Sequence, residues 1–298
     1  MSPIEKATHV LSTYFLSETE RLNGGLPGLL YHYTSAAGME GILSSGCFWA
    51  NNVQHQNDLA EIRVAASIFR ASIERFRVIE SDGDVVPLFD ALRQIMSRID
   101  LGDVYVLSLV ANGDDENLWG LYGDRGTGFS LAFPTLWPLQ WNENWVLVKV
   151  QYGEETVREF SERSLRLIRT IYRQDIAQGA ALPAKNYADL LFENIRWFAP
   201  AFKLNAWADE KEWRLFRIGS GDERQQRPDG RYFLKAPSKN KLRIAAVACG
   251  PQCPPEAVLS VRKAAYLNGY GEIDFHHSQF ATASHRLAID DAMRNAKP

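Results

Sequence analysis

Segment 207–216, with the sequence WADEKEWRLF, limits the possible folds more than any other part of the chain. Its alternation predicts an extended strand, in which every second side chain points to the same face. Glu210, Glu212 and Arg214 then share one face of the strand, and Trp213 points to the other. A strand that is apolar enough for a core and also carries a row of ionisable groups is costly to bury. The segment is therefore the first candidate for a functional site.

Length and composition indicate a globular protein with a sizeable core. The chain has 298 residues, of which 46% are hydrophobic and 11% are aromatic, enough for one large domain or two small ones. Its net charge of −3 gives no overall positive field that would attract nucleic acid. We expect no membrane span, because no apolar run reaches about 18 residues. Three cysteines and an N-terminus without signal-peptide features lead us to expect a reduced, cytoplasmic protein.

The predicted elements alternate irregularly along the chain. Helices are expected over 4–21, 36–45, 59–78, 85–99, 116–122, 155–178, 185–199, 255–267 and 281–296. Strands are expected over 29–34, 104–110, 128–133, 145–152, 211–218, 231–234, 243–248 and 272–276. Scattered strand pairs separated by helices of varied length are typical of an α+β fold rather than a regular βαβ series. We expect an N-terminal helix in 1–28, a single catalytic-like α+β domain in 29–280 and a C-terminal helix in 281–298.

The first predicted strand carries His32 close to an expected helix start. Thr34 shares the face of His32, while Tyr33 points to the opposite face. Thr34 or Ser35 can cap the helix that follows. The strand end could hold a His–Thr pair that hydrogen-bonds a polar ligand. The alternative is a buried histidine satisfied by the backbone, beside an ordinary helix cap.

A second motif, Asn57-Asp58-Leu-Ala-Glu61, precedes a long predicted helix. Asp58 and Glu61 have the spacing of a capping box, which would explain them by structure alone. The alternative is an acid or amide that faces a ligand at the start of the helix.

A third motif puts Trp119 and Tyr122 on one face of a helical turn, followed by a turn rich in glycine over 123–128. The pair could form an aromatic wall against a flat ring of a ligand. It could equally be a core aromatic pair beside a hairpin turn. The glycines do not have the spacing of a phosphate-binding loop or of a dinucleotide fingerprint.

Two clusters of positive charge could meet phosphates. Arginines at 163, 166, 169 and 173 form one stripe on a predicted helix, and residues 214–243 contain nine Lys or Arg against three Asp or Glu. Such clusters could contact a dinucleotide or a nucleic acid. They are also common on solvated surfaces.

A metal site is not expected. Cys249 and Cys253, with His276 and His277, do not have the spacing of a common zinc site. A cluster of Asp58, Glu61, Glu210 and Glu212 would be needed for a metal-dependent nuclease, if the fold brought them together.

The order of these motifs resembles a bacterial family known as domain of unknown function 2971. The matching pieces are His32-Tyr33-Thr34, Asn57-Asp58 with Glu61, Trp119 and Tyr122 with Gly128-Phe129, Lys203 and Trp207, Glu210, Glu212-Trp213-Arg214, Val247 to Gly250, and His277-Ser278. The resemblance covers roughly residues 29–280, and the family name carries no activity.

A more distant resemblance to ADP-ribosyltransferases, including DarT-like DNA-modifying toxins, implies a function. It rests on an early strand with histidine, a central aromatic pair and a late strand with paired glutamates. It implies an ADP-ribosyltransferase-like split β-sheet with helical insertions, and NAD as the substrate. The NAD-binding residues would be His32, Tyr33, Thr34, Trp119, Tyr122 and Arg214. Thr127 and Ser130 only loosely replace the central Ser-Thr-Ser pattern of many members.

The resemblance also implies catalytic roles. Glu212 would be the main catalytic residue, Glu210 would take a proton from the acceptor, and His32 would hold the ribose. Cleavage of the nicotinamide–ribose bond builds positive charge on the sugar, which a nearby carboxylate stabilises. Arg214 would restrain Glu212 or form a structural ion pair with it.

The expected function is therefore an NAD-consuming transferase or NAD glycohydrolase, with a nucleic acid or a protein as acceptor. The setting would be a bacterial toxin or anti-phage defence system, in which an inhibitory or activating partner protein controls the activity. The alternative is a non-catalytic module that senses a nucleotide or a nucleic acid. A metal-dependent nuclease is a further alternative.

Overall fold

A computed structural model of the protein describes residues 2–55, 59–96, 103–140, 143–219, 221–237, 239–271 and 273–295. The helices are α1 Pro3–Leu22, α2 Ala36–Ser45, α3 Leu59–Ile79, α4 Val86–Met96, α5 Glu116–Leu121, α6 Glu154–Ala177, α7 Ala184–Phe198, α8 Pro255–Leu267 and α9 Ala283–Asn295. The strands are β1 Leu29–Thr34, β2 Phe48–Asn52, β3 Val104–Val110, β4 Phe129–Pro134, β5 Val146–Lys149, β6 Gln151–Tyr152, β7 Phe202–Lys203, β8 Glu212–Ile218, β9 Gln225–Gln226, β10 Tyr232–Ala236, β11 Ala246–Cys249 and β12 Phe275–His277.

Helix caps follow local sequence signals. Ser35 caps α2, because its hydroxyl accepts a hydrogen bond from the Gly38 N–H at 3.1 Å, which settles the choice between Thr34 and Ser35. Helix α2 ends at Ser45 and is capped by Gly46, whose φ of 68° lies in the left-handed region that glycine tolerates.

The described chain packs into two units, each assembled from three separated segments. The first contains 1–24, 52–104 and 148–209, and the second contains 25–51, 105–147 and 210–298. The predicted division into 1–28, 29–280 and 281–298 instead follows chain order. None of the helices in the described ranges is long and apolar enough to span a bilayer.

The first unit is helical. Its apolar core is built from the inward faces of α1, α3, α4, α6 and α7. These faces recur at helical spacing, for example Phe160, Ile168 and Ile171 along α6. A short parallel pair, β6 with β7, belongs to the same unit.

The second unit is built on a mixed sheet of ten described strands. The order is β12-β11-β4-β1-β3-β2-β10-β9, and β8 pairs with both β3 and β5. Strand β12 runs parallel to β11, whereas the pairs β11–β4, β4–β1 and β1–β3 are antiparallel. The sheet therefore branches at β3, which has β1, β2 and β8 as neighbours. The predicted mixture of helices and strands is confirmed at this level, and the finer ADP-ribosyltransferase-like assignment stays a prediction.

Segment 207–216 differs from its predicted extended form. Residues Asn205–Glu210 form a 3-10 helix, Lys211 has a left-handed φ of 47°, and β8 begins at Glu212. The prediction that Glu210 lies in the strand is therefore wrong. Within β8 the predicted alternation holds. Trp213 belongs to the apolar core that packs against the sheet, and Arg214, the next residue, points away from that core.

Strand prediction also missed three of the described strands, β2, β7 and β9, and merged two others. Strand β2 was not expected, since its FWANN sequence ends in two asparagines, which are poor strand formers. The run predicted as one strand over 145–152 is divided at Val150 into β5 and β6, because β6 pairs with β7 in the separate short sheet.

Two glycines allow the ends of three strands to approach closely. A Cβ atom at Gly128 would lie 2.2 Å from the carbonyl oxygen of Thr34, and one at Gly250 would lie 2.3 Å from that of Gly126. These obstacles are backbone atoms, which cannot move aside as a flexible side chain could. The glycine-rich turn thus serves the packing of β1, β4 and β11.

We expect Gly128→Ala to lower the free energy of unfolding by about 1–3 kcal/mol, because the new methyl group overpacks the backbone of β1. The matched control is Gly120→Ala in α5, where a Cβ meets nothing within 4 Å. That change should be neutral or stabilising by up to about 1 kcal/mol. Urea unfolding of both variants checks this, and equal stabilities would contradict the packing argument.

Candidate functional site

Tyr33 is buried and holds the loop that leads into α5. Its hydroxyl donates to the Asn112 carbonyl oxygen at 3.1 Å and accepts from the Asp115 N–H at 2.9 Å. Its ring meets Trp119 edge-on, with 4.7 Å between centroids. Burial raises the pKa of its phenol far above the ordinary value. These contacts indicate that Tyr33 positions the loop before α5 and favour this role over direct contact with a ligand.

Trp119 is also buried, and its indole is fixed by Asp114. The indole Nε1 donates to Asp114 Oδ1 at 2.7 Å, and Ser278 Oγ donates to the same oxygen at 2.6 Å. The Gln279 N–H donates to Asp114 Oδ2 at 2.7 Å. Trp119 is therefore a core aromatic residue, as one of the two interpretations of its motif expects. Asp114 is absent from the sequence-based candidates, and the cluster of Asn and Asp before α5 is the signal that points to it.

Tyr122 is the exposed member of the aromatic pair. It retains 46% of its surface exposure, and its hydroxyl donates to Glu210 Oε1 at 2.6 Å. Glu210 itself is buried. This short bond is typical of a hydroxyl bound to a carboxylate. It joins an exposed aromatic ring to a nearly buried acid.

Glu212 and Arg214 form a buried ion pair. Arg214 Nε donates to Glu212 Oε1 at 2.9 Å, and Nη2 donates to Oε2 at 3.2 Å. The two side chains are 3% and 0% exposed. Both carboxylate oxygens thus meet the guanidinium in a two-point contact. This is the arrangement expected of a structural ion pair.

Lys211, between the two glutamates, has strained backbone geometry. Its φ of 47° is rare for a residue with a side chain and costs on the order of 1–2 kcal/mol. The turn changes the direction of the chain between Glu210 and Glu212. Strain of this kind often accompanies functional sites.

His32 is half-buried and bonded to the backbone of β3. Its Nδ1 lies 3.1 Å from the Ser108 carbonyl oxygen, and its ring meets Phe48 edge-on at 5.2 Å. Because a carbonyl can only accept, Nδ1 carries the proton. Burial lowers the pKa of the imidazole, and the bond to Ser108 offsets part of that effect. The neutral ring keeps Nε2 as a hydrogen-bond acceptor.

The side chains of His32 and Glu212 point in opposite directions relative to the apolar core that packs against the sheet. Leu30, two residues before His32, belongs to that core, as does Trp213, the neighbour of Glu212. Alternation therefore turns His32 towards this core and Glu212 away from it. Within the described ranges, the contacts of His32 include neither Glu210 nor Glu212. Thr34, half-buried, packs its hydroxyl against Gly38.

The arginine stripe of α6 is neutralised inside the helical unit. Its four side chains pair with acids, namely Arg163 with Glu18 at 3.1 Å, Arg166 with Glu162 at 3.3 Å, Arg173 with Asp82 at 2.9 Å, and Arg169 with Glu80. Three of these acids lie on other segments than α6. The interpretation as a phosphate-binding stripe has no support from this geometry, because the charges are already compensated.

The cysteines and histidines near β11 have other partners than a metal. Cys249 and Cys253 are buried, and a thiol–thiol hydrogen bond raises the pKa of Cys249. His277 Nε2 lies 2.7 Å from Asp290 Oδ1. Among the described residues, no three His, Cys, Asp or Glu side chains are grouped to hold a metal ion. Asn57, Asp58 and the side chain of Glu61 lie outside the described residues.

A surface cleft of about 570 Å³ lies elsewhere on the second unit. None of the predicted site residues lines it. Its lining consists of Arg262, Ile273, Phe275, Asp290, Met293 and Arg294.

Residues 118–215, about a third of the chain, match a family model described as "Protein of unknown function (DUF2971)". The match runs from α5 to β8 and includes Trp119, Tyr122, Glu210 and Glu212. It supports the predicted resemblance to that family over this segment. No curated protein and no solved structure matched the chain. The resemblance to ADP-ribosyltransferases stays a prediction.

We expect Glu212→Gln to lower the free energy of unfolding by about 3 kcal/mol or more, because it leaves the buried Arg214 charge uncompensated. The matched control is Glu74→Gln, which removes the carboxylate of an exposed pair with Arg93. That change should cost less than about 1 kcal/mol. Urea unfolding measures both, and similar losses would show that burial does not set the value of the Glu212–Arg214 pair.

Stability should fall on acidification partly through His32. Its pKa in the folded protein lies below the ordinary value of 6.5, so below about pH 6.5 the unfolded chain binds the proton more readily. The contribution of His32 to the stability of the folded protein is therefore fully present above that pH and is lost as the pH falls.

His32→Asn removes the titration while an amide can still donate to Ser108. The loss of stability between pH 7.5 and 5.5 should then be smaller than in the unmodified protein. His276→Asn, which changes an exposed histidine of β12, is the control. An unchanged pH dependence of stability in His32→Asn would contradict the assignment of this pH dependence to His32.

Proposed function

We propose that the protein is an NAD-consuming enzyme of the ADP-ribosyltransferase type, with Glu210 and Tyr122 as its reactive pair. The observation that carries this proposal is the 2.6 Å bond between the exposed Tyr122 hydroxyl and the Glu210 carboxylate. Glu210 directly precedes the strained Lys211, and backbone strain of this kind favours a functional site.

The reaction breaks the bond between the ribose C1′ atom and the nicotinamide nitrogen. Nicotinamide leaves with the bonding electron pair, and positive charge develops on the sugar. Water or an acceptor hydroxyl then forms the new C1′–O bond and loses a proton. A carboxylate beside the sugar stabilises the charge of the transition state more than that of the ground state.

We place the reacting carboxylate at Glu210 because it bonds to Tyr122, whose side chain reaches the surface. The Arg214 guanidinium meets both oxygens of Glu212, so the field of that carboxylate is largely compensated. We therefore assign Glu212 a positioning role, with Arg214 as its partner. Glu210 would meet the sugar charge or take the proton from the acceptor.

Tyr122 has two tasks in this proposal. Its hydroxyl orients Glu210, and its exposed ring offers a flat surface for nicotinamide. The contacts of His32, Thr34 and Arg214 give no independent support for their assignment to NAD binding. The proposal therefore depends on Glu210 and Tyr122.

The acceptor would be a nucleic acid or a protein, in a bacterial toxin or anti-phage system with a controlling partner protein. This part of the proposal rests on analogy with ADP-ribosyltransferases.

A second candidate is a module that binds a nucleotide or nucleic acid without turnover. The buried Glu212–Arg214 pair favours it, since an acid held at both oxygens is typical of a structural contact.

Nicotinamide release from NAD distinguishes the two candidates. We expect the unmodified protein to release nicotinamide, and Glu210→Gln to lower kcat by about 10²–10³-fold, as the loss of one stabilising group does in other enzymes. Tyr122→Phe should lower it by about tenfold, since it removes one hydrogen bond. Tyr266→Phe, at an exposed tyrosine of α8, is the control.

The outcomes separate the proposals. NAD binding without nicotinamide release, with and without added RNA, DNA and cell extract, would favour the binding module. Nicotinamide release that survives Glu210→Gln would overturn the assignment of the reactive carboxylate.

A further inference from the structure

An aromatic pair lies on the outer face of β2 and β10. Trp49 stacks on Phe233 with 4.5 Å between ring centroids and 27° between ring planes. Strand register places Lys235 directly opposite Trp49, and Phe233 opposite Asn51, so all four side chains share one face. Trp49 retains 38% exposure although it is a large apolar residue. We call Trp49, Asn51, Arg227, Phe233 and Lys235 the hairpin platform.

Arg227 lies over this aromatic pair and forms no ion pair with an acid of the described residues. Its guanidinium carbon is 5.0 Å from the Trp49 centroid and 5.7 Å from the Phe233 centroid. Its Nη2 donates to Asn51 Oδ1 at 2.7 Å. Its Nε is buried without a hydrogen-bond partner. Within the described residues, no carboxylate lies within ion-pair distance of Arg227.

The surroundings of Arg227 are positive. Residues 224–243 contain seven Lys or Arg and one acid, Asp229, and Asp229 is paired with Arg231 at 2.6 Å. Burial, and then repulsion from Arg231, lowers the pKa of Arg227. Attraction to Asp229 acts in the opposite direction, but that carboxylate is already paired with Arg231. The guanidinium remains charged, so this surface carries a cation without an ion-pair partner among the described residues.

A purely structural clasp explains these observations less well. A clasp between the hairpin and β2 would be more stable with a carboxylate beside the arginine, since a partly buried, unpaired cation is costly. It would also not require Trp49 to stay exposed. An anionic ligand with a flat ring satisfies both groups.

We propose that the hairpin platform binds single-stranded nucleic acid, with one base stacked on Trp49 and a backbone phosphate held by Arg227 and Lys235. Proteins that bind single strands stack the unpaired bases on exposed aromatic side chains, with arginines close by. A duplex keeps its bases stacked inside and offers no ring to Trp49. The net charge of −3 also argues against binding a duplex through its charge alone.

This inference deepens the proposed function by naming the macromolecule, but binding itself does not rest on NAD turnover. The test therefore omits NAD. Fluorescence anisotropy with labelled mixed-sequence DNA and RNA oligonucleotides, single-stranded and duplex, measures affinity over a range of salt concentrations.

We expect the single strands to bind more tightly than the duplex. Trp49→Ala should weaken binding by about tenfold or more, the usual effect of losing one stacked base, and Trp49→Phe should restore part of it. Arg227→Gln and Lys235→Gln should each weaken binding and reduce the salt dependence by roughly one released ion. Tyr266→Ala and Arg294→Gln, on exposed positions of α8 and α9, should leave it unchanged.

Thermal unfolding separates binding from folding. If Arg227→Gln unfolds the hairpin, Lys235→Gln and the two Trp49 variants still decide the question. No single-strand binding, equal affinity for duplex, or binding that survives Trp49→Ala would overturn the proposal. Oligonucleotide binding without nicotinamide release would instead contradict only the proposed NAD chemistry.

Discussion

The hydrogen bonds of Asp114 and Tyr33 hold in place a helix that could not form alone. Helix α5 has only six residues, whereas isolated helices shorter than about 12–15 residues are marginal in water. Asp114 ties Trp119 to Ser278, and Tyr33 fixes the loop before the helix. Tyr122 follows α5 directly, so its contact with Glu210 depends on this network.

Glu210 and Glu212 are the same type of residue in two different environments. Glu212 opens β8 and is bound at both oxygens by a fully buried arginine. Glu210 ends a 3-10 helix, and one oxygen is bound by a hydroxyl whose ring reaches the surface. The Glu212 charge is compensated by a guanidinium, whereas the Glu210 carboxylate is linked to a side chain that reaches the surface. This difference is why the proposal places the reacting carboxylate at Glu210 rather than at Glu212.

Local sequence signals predicted much of the fold, because they need no distant partner. The bounds of β1, α2, β3 and α8 follow from alternation, capping and proline placement, and the structure confirms them. The side of β8 on which Glu212 and Arg214 lie also follows from alternation. The exposed Tyr122 and buried Trp119 could not be told apart, since the burial of Trp119 depends on Tyr33 and on Ser278, which come from other parts of the chain. The same applies to Glu210, whose strand assignment failed at the strained Lys211.

The basic clusters show most clearly what sequence leaves undetermined. The α6 stripe and the 224–243 segment look alike in composition, since both concentrate Lys and Arg. Acids from α1 and from the α3–α4 connection neutralise three arginines of the stripe, and no count within α6 could have shown that. Around Arg227 the described part of the fold brings an amide and two aromatic rings, and no ion-paired carboxylate. Whether a basic cluster is a scaffold or a binding surface is thus decided by what the fold places beside it.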